Sequence, residues 1–223
     1  MSSASSLLPS VPSKADQVYE FLRENILSGV YKPEQRLSMD ALAKELGVSK
    51  IPVREAIGRL EAQNLVISQQ HVGPTVAAVS VVQLQGVYLA REQLEPLIAS
   101  IAARTISPER LAELETVQAA MKQALDSGRL DELGQLNYRF HIDIAEATNF
   151  DIFVDFSETL LLSVRRHRVA EPLEASDWNS VVSEHDAIIA ALAAGDATAA
   201  AAAAQTHASS QADHDIAGYF GGR

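Results

Sequence analysis

The chain of 223 residues contains no cysteine. Disulfides and thiolate metal sites are therefore excluded, and any metal must sit on histidine, carboxylate or amide oxygen. It has no apolar run of membrane-spanning length, so no membrane partner is expected. A secretory leader is not expected either. Met1 to Ser13 is rich in serine and proline, without a charged start or an apolar centre. That stretch reads as a disordered tail, and the cytoplasm is the default location. An excess of positive charge is missing too. The net charge is -11, which by itself argues against a nucleic-acid partner. The acidity is local, however. Residues 1–79 carry eight Lys/Arg against eight Asp/Glu, and residues 80–223 carry ten against twenty-one. A neutral first part can grip phosphates with well-placed cations, while the acidic second part would be repelled by them. Two domains with different partners are expected, at 14–79 and 80–223.

The first of these reads as a compact run of short elements. Val18, Phe21, Leu22, Ile26 and Leu27 repeat with helical spacing over Lys14 to Leu27, and Gly29 ends the helix. Ser38 suits the start of a short helix from Met39 to Leu46, stopped by Gly47. Ser49 can cap a third helix to about Asn64, with Pro52 in its first turn and Val53, Ile57 and Leu60 facing inward. Leu65 to Gln69 and Thr75 to Val79 read as two strands of a hairpin turning near Gly73. Helix, short helix, glycine turn, helix and hairpin form the layout of a winged helix-turn-helix.

The run Leu42-Ala43-Lys44-Glu45-Leu46-Gly47-Val48-Ser49-Lys50-Ile51-Pro52-Val53-Arg54-Glu55-Ala56-Ile57 resembles the helix-turn-helix signature of GntR-family transcription regulators. Ile26-Leu27-Ser28-Gly29 and Gly73-Pro74-Thr75-Val76 fall where that family ends its first helix and places its wing. The resemblance implies binding to double-stranded DNA. Ser49, Lys50 and Ile51 then sit at the end of the recognition helix that enters the major groove, and Arg54 lies one turn further on. His71 and Gly73 lie at the wing tip, where close backbone approach favours a small residue. Arg59 is further along the same helix. The family usually has Arg-Thr where this chain has Lys50-Ile51. Lysine keeps the charge but loses the bidentate fork that reads guanine.

From Ser80 onward no strand signal appears. Breaks at Ser107-Pro108, Ser127-Gly128, Thr148-Asn149, Glu171-Pro172 and Gly195-Asp196 divide an all-α bundle into about six helices. The alanine run from Ala197 to Ala204 reads as a closely packed helix. The fold class is mainly α. Asn137 and His141 are four apart and share one helix face. His185 lies ten residues before Gly195 and His207 lies eleven after Asp196. In an antiparallel helix hairpin the two face each other. These four side chains are expected to line one polar pocket.

Glu184-His185-Asp186-Ala187-Ile188-Ile189-Ala190-Ala191-Leu192 with Gly195-Asp196 resembles the ligand-binding domain of the FadR-like (FCD) branch of GntR regulators. So do Phe140-His141, Gln205-Thr206-His207 and Tyr88 to Glu95. In many members an Asp and three His hold a divalent metal, typically zinc or nickel, beside an effector pocket. The resemblance implies His141, His185 and His207 as ligands, with Asn137 where the Asp usually stands. Asn is neutral, so metal affinity should fall and a bound ion should attract an anion more strongly. A small carboxylate effector is expected. Arg91 matches a position that often faces the pocket, though an intrahelical pair with Glu95 is the alternative. Arg165, in the cluster Arg165-Arg166-His167-Arg168, is a second candidate for effector contact. A homodimer reading a palindromic operator as a repressor follows from the same resemblance. The competing class is a metal-dependent hydrolase or lyase. It is weakened by the absence of His-Glu-x-x-His and of a general base beside the site, Glu184 being assigned to another helix face. A regulator that senses the metal alone is the third reading.

Overall fold

The computed structural model describes residues 12–69, 72–78, 80–170 and 173–216. The expected tail therefore lies outside the described residues except for Pro12 and Ser13. His71 and the Glu171-Pro172 break also lie outside them. The chain forms two compact units, one of residues up to 78 and one from 79 onward.

The first unit contains α1 (Lys14–Leu27), α2 (Met39–Glu45), α3 (Lys50–Ala62), β1 (Val66–Gln69) and β2 (Gly73–Val76). Ser13 belongs to α1 and not to a tail. Its hydroxyl accepts from the Asp16 amide, and the Asp16 carboxylate accepts from the Ser13 amide. This reciprocal cap satisfies two helix-end donors at once. Inside, α1 buries Val18, Leu22, Ile26 and Leu27, as the spacing predicts. Phe21 is an exception at 37% exposed, and Tyr19 is buried instead. The Tyr19 hydroxyl donates to the Gln63 side chain at 2.8 Å, so the apolar ring packs while its polar tip stays satisfied. Ser38 caps α2 by accepting from Ala41. Gly47, at φ +64°, then turns the chain toward α3, a conformation glycine adopts without strain. Val53, Ala56, Ile57 and Leu60 carry α3 into the core.

The hairpin is antiparallel, with Val66 opposite Val76 and Gln69 opposite Gly73. Its second strand starts two residues earlier than the sequence indicates. Residues 34–37 pair along the other side of β2. Leu37 donates to the Pro74 carbonyl, Val76 to Gln35 and Glu34 to Val76. No sequence signal points to this third pairing.

The second unit is six helices among the described residues: α4 (Val81–Thr105), α5 (Pro108–Asp126), α6 (Leu130–Glu146), α7 (Asp151–Ala170), α8 (Ala175–Ala193) and α9 (Ala197–Asp215). Ser80 and Ser107 cap α4 and α5. Asp196 caps α9 through the Thr198 and Ala199 amides. Gly195, at φ +64°, makes the preceding turn. The main core joins Ile98, Ala102, Leu114, Phe140, Ile144 and Ile188 with the alanines of α9. Ala200, Ala204, Ala208 and Ala212 recur every fourth residue and are all buried. Their small side chains let α9 approach its neighbours closely, which makes the alanine run a packing surface. Pro96 lies inside α4, which continues through it. No described helix is long and apolar enough to cross a membrane.

Candidate functional site

The inward face of α6 runs Leu133, Asn137, Phe140, His141, Ile144, with apolar residues on either side of the polar pair. The α8–α9 turn brings His185 and His207 to the same place. The three histidines offer ring nitrogens that all lie within 4.8 Å of one another, and all three side chains are buried. His141 Nε2 and His207 Nε2 are 3.3 Å apart. The His185 ring stacks on Phe140, with centroids 3.7 Å apart and planes within 5°.

The rings are held in a form suited to coordination. Burial pushes His141 and His185 well below the ordinary histidine range, and the neighbouring charges of His207, Arg91 and Arg168 push the same way. They stay neutral at physiological pH, as a metal ligand must. His207 Nδ1 meets Glu184 Oε2 at 2.8 Å. Burial works to raise Glu184, but hydrogen bonds from His207 and Ser210 outweigh it and hold the carboxyl below its usual range. An ionised Glu184 fixes the proton on His207 Nδ1 and turns the lone pair of Nε2 toward the cluster. The expectation for Glu184 is another helix face, away from the site. It does not share a face with His185, but the hairpin sets it against His207 on the opposite helix.

Three buried polar atoms at the cluster have no hydrogen-bond partner among the described residues: Asn137 Oδ1 and both ring nitrogens of His185. Leaving such groups unsatisfied costs about 1–3 kcal/mol each. The donor set of three neutral imidazoles and an amide oxygen fits a borderline divalent cation such as zinc.

A pocket with about 460 Å³ of empty space, open solvent included, adjoins the cluster through His141. Arg91 and Glu95 of α4 also line it. Both readings of Arg91 are realised together, because it is buried on the cavity wall and pairs through Nε with Glu95 Oε1 at 2.5 Å. Arg165 is not on that wall, and its guanidinium lies over the Tyr138 ring at 5.6 Å. Arg168 of the same cluster turns inward instead, to Asp215 at 3.3 Å and to the Gln211 amide oxygen. Tyr88 donates to the same Asp215. Neither Arg168 nor this network was singled out from the sequence. Only the crowding of basic residues in an acidic domain hinted at it.

In the first unit, Ser49, Lys50, Ile51 and Arg54 all lie exposed on one end of α3. Ser49 occupies the cap position, but its hydroxyl makes no capping hydrogen bond, contrary to expectation. Lys50 pairs with Asp40 at 2.5 Å, with both side chains mostly exposed. Such a pair contributes little and can exchange partners readily. Ile51 is 66% exposed, unusual for a side chain that gains by burial. Arg54 has no ion pair or hydrogen bond among the described residues. Gly73 stands at φ +91° on the wing. Arg59 differs, being held by Asp16 at 2.7 Å and lying over the Tyr19 ring at 3.8 Å. It ties α3 to α1.

Comparison with known proteins agrees with both halves. Residues 14–76 match the profile of bacterial regulatory proteins of the gntR family. Residues 86–210, more than half of the chain, match the FCD domain. The HTH-type transcriptional regulator McbR of Escherichia coli (strain K12) is 29% identical over 182 residues, covering 81% of this chain and 82% of that protein. The HTH-type transcriptional repressor RspR of the same organism is 26% identical over 191 residues, covering 86% and 84%. The solved structure of E. coli McbR/YncC superposes with a TM-score of 0.81 at 25% identity, covering 92% of this chain and 98% of that one. A GntR regulator from Rhodococcus sp. RHA1 shares the fold, with a TM-score of 0.80 at 22% identity, covering 92% and 99%. The chain belongs to the gntR family of bacterial regulatory proteins, in the branch that carries an FCD domain, and is a DNA-binding transcriptional regulator and not an enzyme.

Proposed function

We propose that the protein is a repressor whose grip on its operator is set by a small carboxylate, bound in the helical unit beside a divalent metal. The observation that carries this is the convergence of His141, His185 and His207 from three helices, with unsatisfied buried ligand atoms, next to a cavity that holds a buried arginine. His141, His185 and His207 would hold the ion, with the Asn137 carbonyl as the fourth protein ligand. Bound there, zinc supplies an electrophilic centre for an anionic head group. Glu184 fixes the His207 tautomer, Phe140 holds the His185 ring, and Arg91 offers a fixed positive charge on the cavity wall.

Ser49, Lys50, Ile51 and Arg54 present α3 to the major groove, and Gly73 lets the wing approach the backbone. His71 is retained in that role from its place in the sequence. Homodimerisation is supported by an exposed stripe on α4. Val82, Leu89 and Leu97 repeat at near-heptad spacing along it and are 67%, 43% and 47% exposed. Two heads related by a twofold axis read a palindromic operator. The name of RspR supports repression as the output.

Fluorescence anisotropy tests this reading, with operator fragments selected from random duplexes and the full-length protein titrated with zinc, then with carboxylates. Zinc alone should leave the protein on DNA, and a carboxylate should release it. Release by zinc alone would favour a metal sensor, and indifference to both would sink the proposal. Asn137→Asp should tighten zinc binding, because a carboxylate compensates the ion's charge, and should weaken the carboxylate. Competition against a chelating dye measures the first and calorimetry the second. If both are unchanged, Asn137 lies outside the coordination sphere. Glu184→Ala should lower zinc affinity by about 10–100-fold, the usual effect of losing a ligand's outer partner. Wild-type affinity in that variant would mean that the His207 tautomer is fixed by something else.

A further inference from the structure

The cavity has two unlike ends. Its polar end is Arg91, Glu95, His141 and Ser157. The rest is aliphatic wall, including Leu94, Ile98, Ile144, Leu160, Leu161 and Ile188. A ligand must therefore be polar at one end and apolar over most of its body.

The polar end specifies more than charge. Arg91 is buried and makes one ion pair among the described residues, through Nε to Glu95 Oε1. The remaining guanidinium nitrogens suit a carboxylate. Glu95 compensates Arg91, so this end is not simply cationic. Glu95 Oε2 is buried and accepts no hydrogen bond among the described residues. A buried carboxylate oxygen in that state calls for a donor. A ligand offering only acceptors would meet Arg91 well and Glu95 badly. With the first carboxylate bridging Arg91 and the histidine cluster, a second would have to lie against Glu95 or on the aliphatic wall, both costly.

Resting on the reading that the effector is a carboxylate, we infer that it is a monocarboxylate with an apolar body and a hydrogen-bond donor beside the carboxyl group, and not a polycarboxylate. The carboxylate meets Arg91 and the histidine cluster. The donor meets Glu95 Oε2, and the branched or aromatic body covers the Leu160–Leu161 wall. A hydroxyl and an ammonium are both donors of the required kind, so 2-hydroxy acids and 2-amino acids share this chemistry.

Calorimetry on the full-length protein, with and without added zinc, tests the assignment with four probes. These are 2-hydroxy-4-methylpentanoate, leucine, 4-methylpentanoate and citrate. At least one of the first two should bind about ten-fold tighter than 4-methylpentanoate, the margin expected for one hydrogen bond to a charged acceptor. Which of the two binds identifies the donor as hydroxyl or ammonium. Citrate should bind more weakly than the tighter of those two. In Glu95→Gln, the advantage over 4-methylpentanoate should shrink to about two- to three-fold, while the affinity for 4-methylpentanoate itself should hold or rise, since Arg91 loses its counter-charge. Leu160→Asn, on the apolar wall, should weaken the three apolar-bodied probes together. If citrate binds tightest, or the acid without a donor binds as well as those with one, this inference falls while the carboxylate reading stands. If none of the four binds, both fall.

Discussion

Phe140→Ala is expected to lower the stability of the helical unit by about 3–5 kcal/mol. The Phe140 side chain is fully buried in the main core and stacks on His185. Its loss leaves a cavity between α6 and α8 that neighbouring alanines are too short to fill. Trp178 reports the effect cleanly, as the single tryptophan of the chain and a buried residue of this unit. Its fluorescence in guanidinium should show a transition at clearly lower denaturant. Phe140→Leu separates packing from ring support. It should cost less than about 1.5 kcal/mol of stability, yet it removes the flat surface against which His185 rests. Zinc affinity should therefore fall more in Phe140→Leu than its stability loss accounts for. An unfolding midpoint for Phe140→Ala close to wild type would refute the packing argument.

The second large effect belongs to Arg54. Arg54→Ala should weaken operator binding by about 1–3 kcal/mol per half-site if the side chain reads a base. Across two heads that amounts to roughly 30-fold to 10⁴-fold in affinity. Anisotropy at fixed salt, on the selected operator and on scrambled duplex, distinguishes the roles. A base reader loses discrimination between the two. A phosphate contact loses affinity on both and lowers the salt slope by about one. Arg59→Ala is the companion variant, since Arg59 is already engaged by Asp16 and Tyr19. It should act on the stability of the head and leave discrimination intact. Equal loss of discrimination in a stably folded Arg59→Ala would reverse the assignment.

The helices were legible because their ends carry strong local chemistry. Gly29, Gly47 and Gly195 all stand at positive φ, and Ser38, Ser80, Ser107 and Asp196 cap with their side chains. The pairing of residues 34–37 with β2 was not legible, because it uses backbone groups alone and leaves no side-chain signature. Ser49 shows the limit of cap statistics: the residue type was right for the position, but the hydrogen bond is not formed. At the histidines, distance from the Gly195 turn sufficed to bring His185 opposite His207, since a hairpin of straight helices is close to a ruler. The same ruler would have found Glu184, had it been applied across the hairpin and not only along α8. Arg165 and Arg168 could not be separated by sequence. They lie three apart on α7, and only the packed bundle decides which one turns toward Asp215 and which lies on Tyr138.

Pro96 gives α4 a mechanical character that its unbroken helical trace conceals. A proline has no amide hydrogen to return to the carbonyl four residues back, here that of Glu92, and its ring crowds that carbonyl. The loss of that hydrogen bond lowers bending stiffness at this turn. Arg91 and Glu95 both lie on the N-terminal side of the soft point, on the segment that runs back to Val81, five residues along the chain from the end of β2. In elastic terms α4 is two rods in series joined at Pro96, and the charged pair of the cavity is mounted on the rod that is continuous in sequence with the wing.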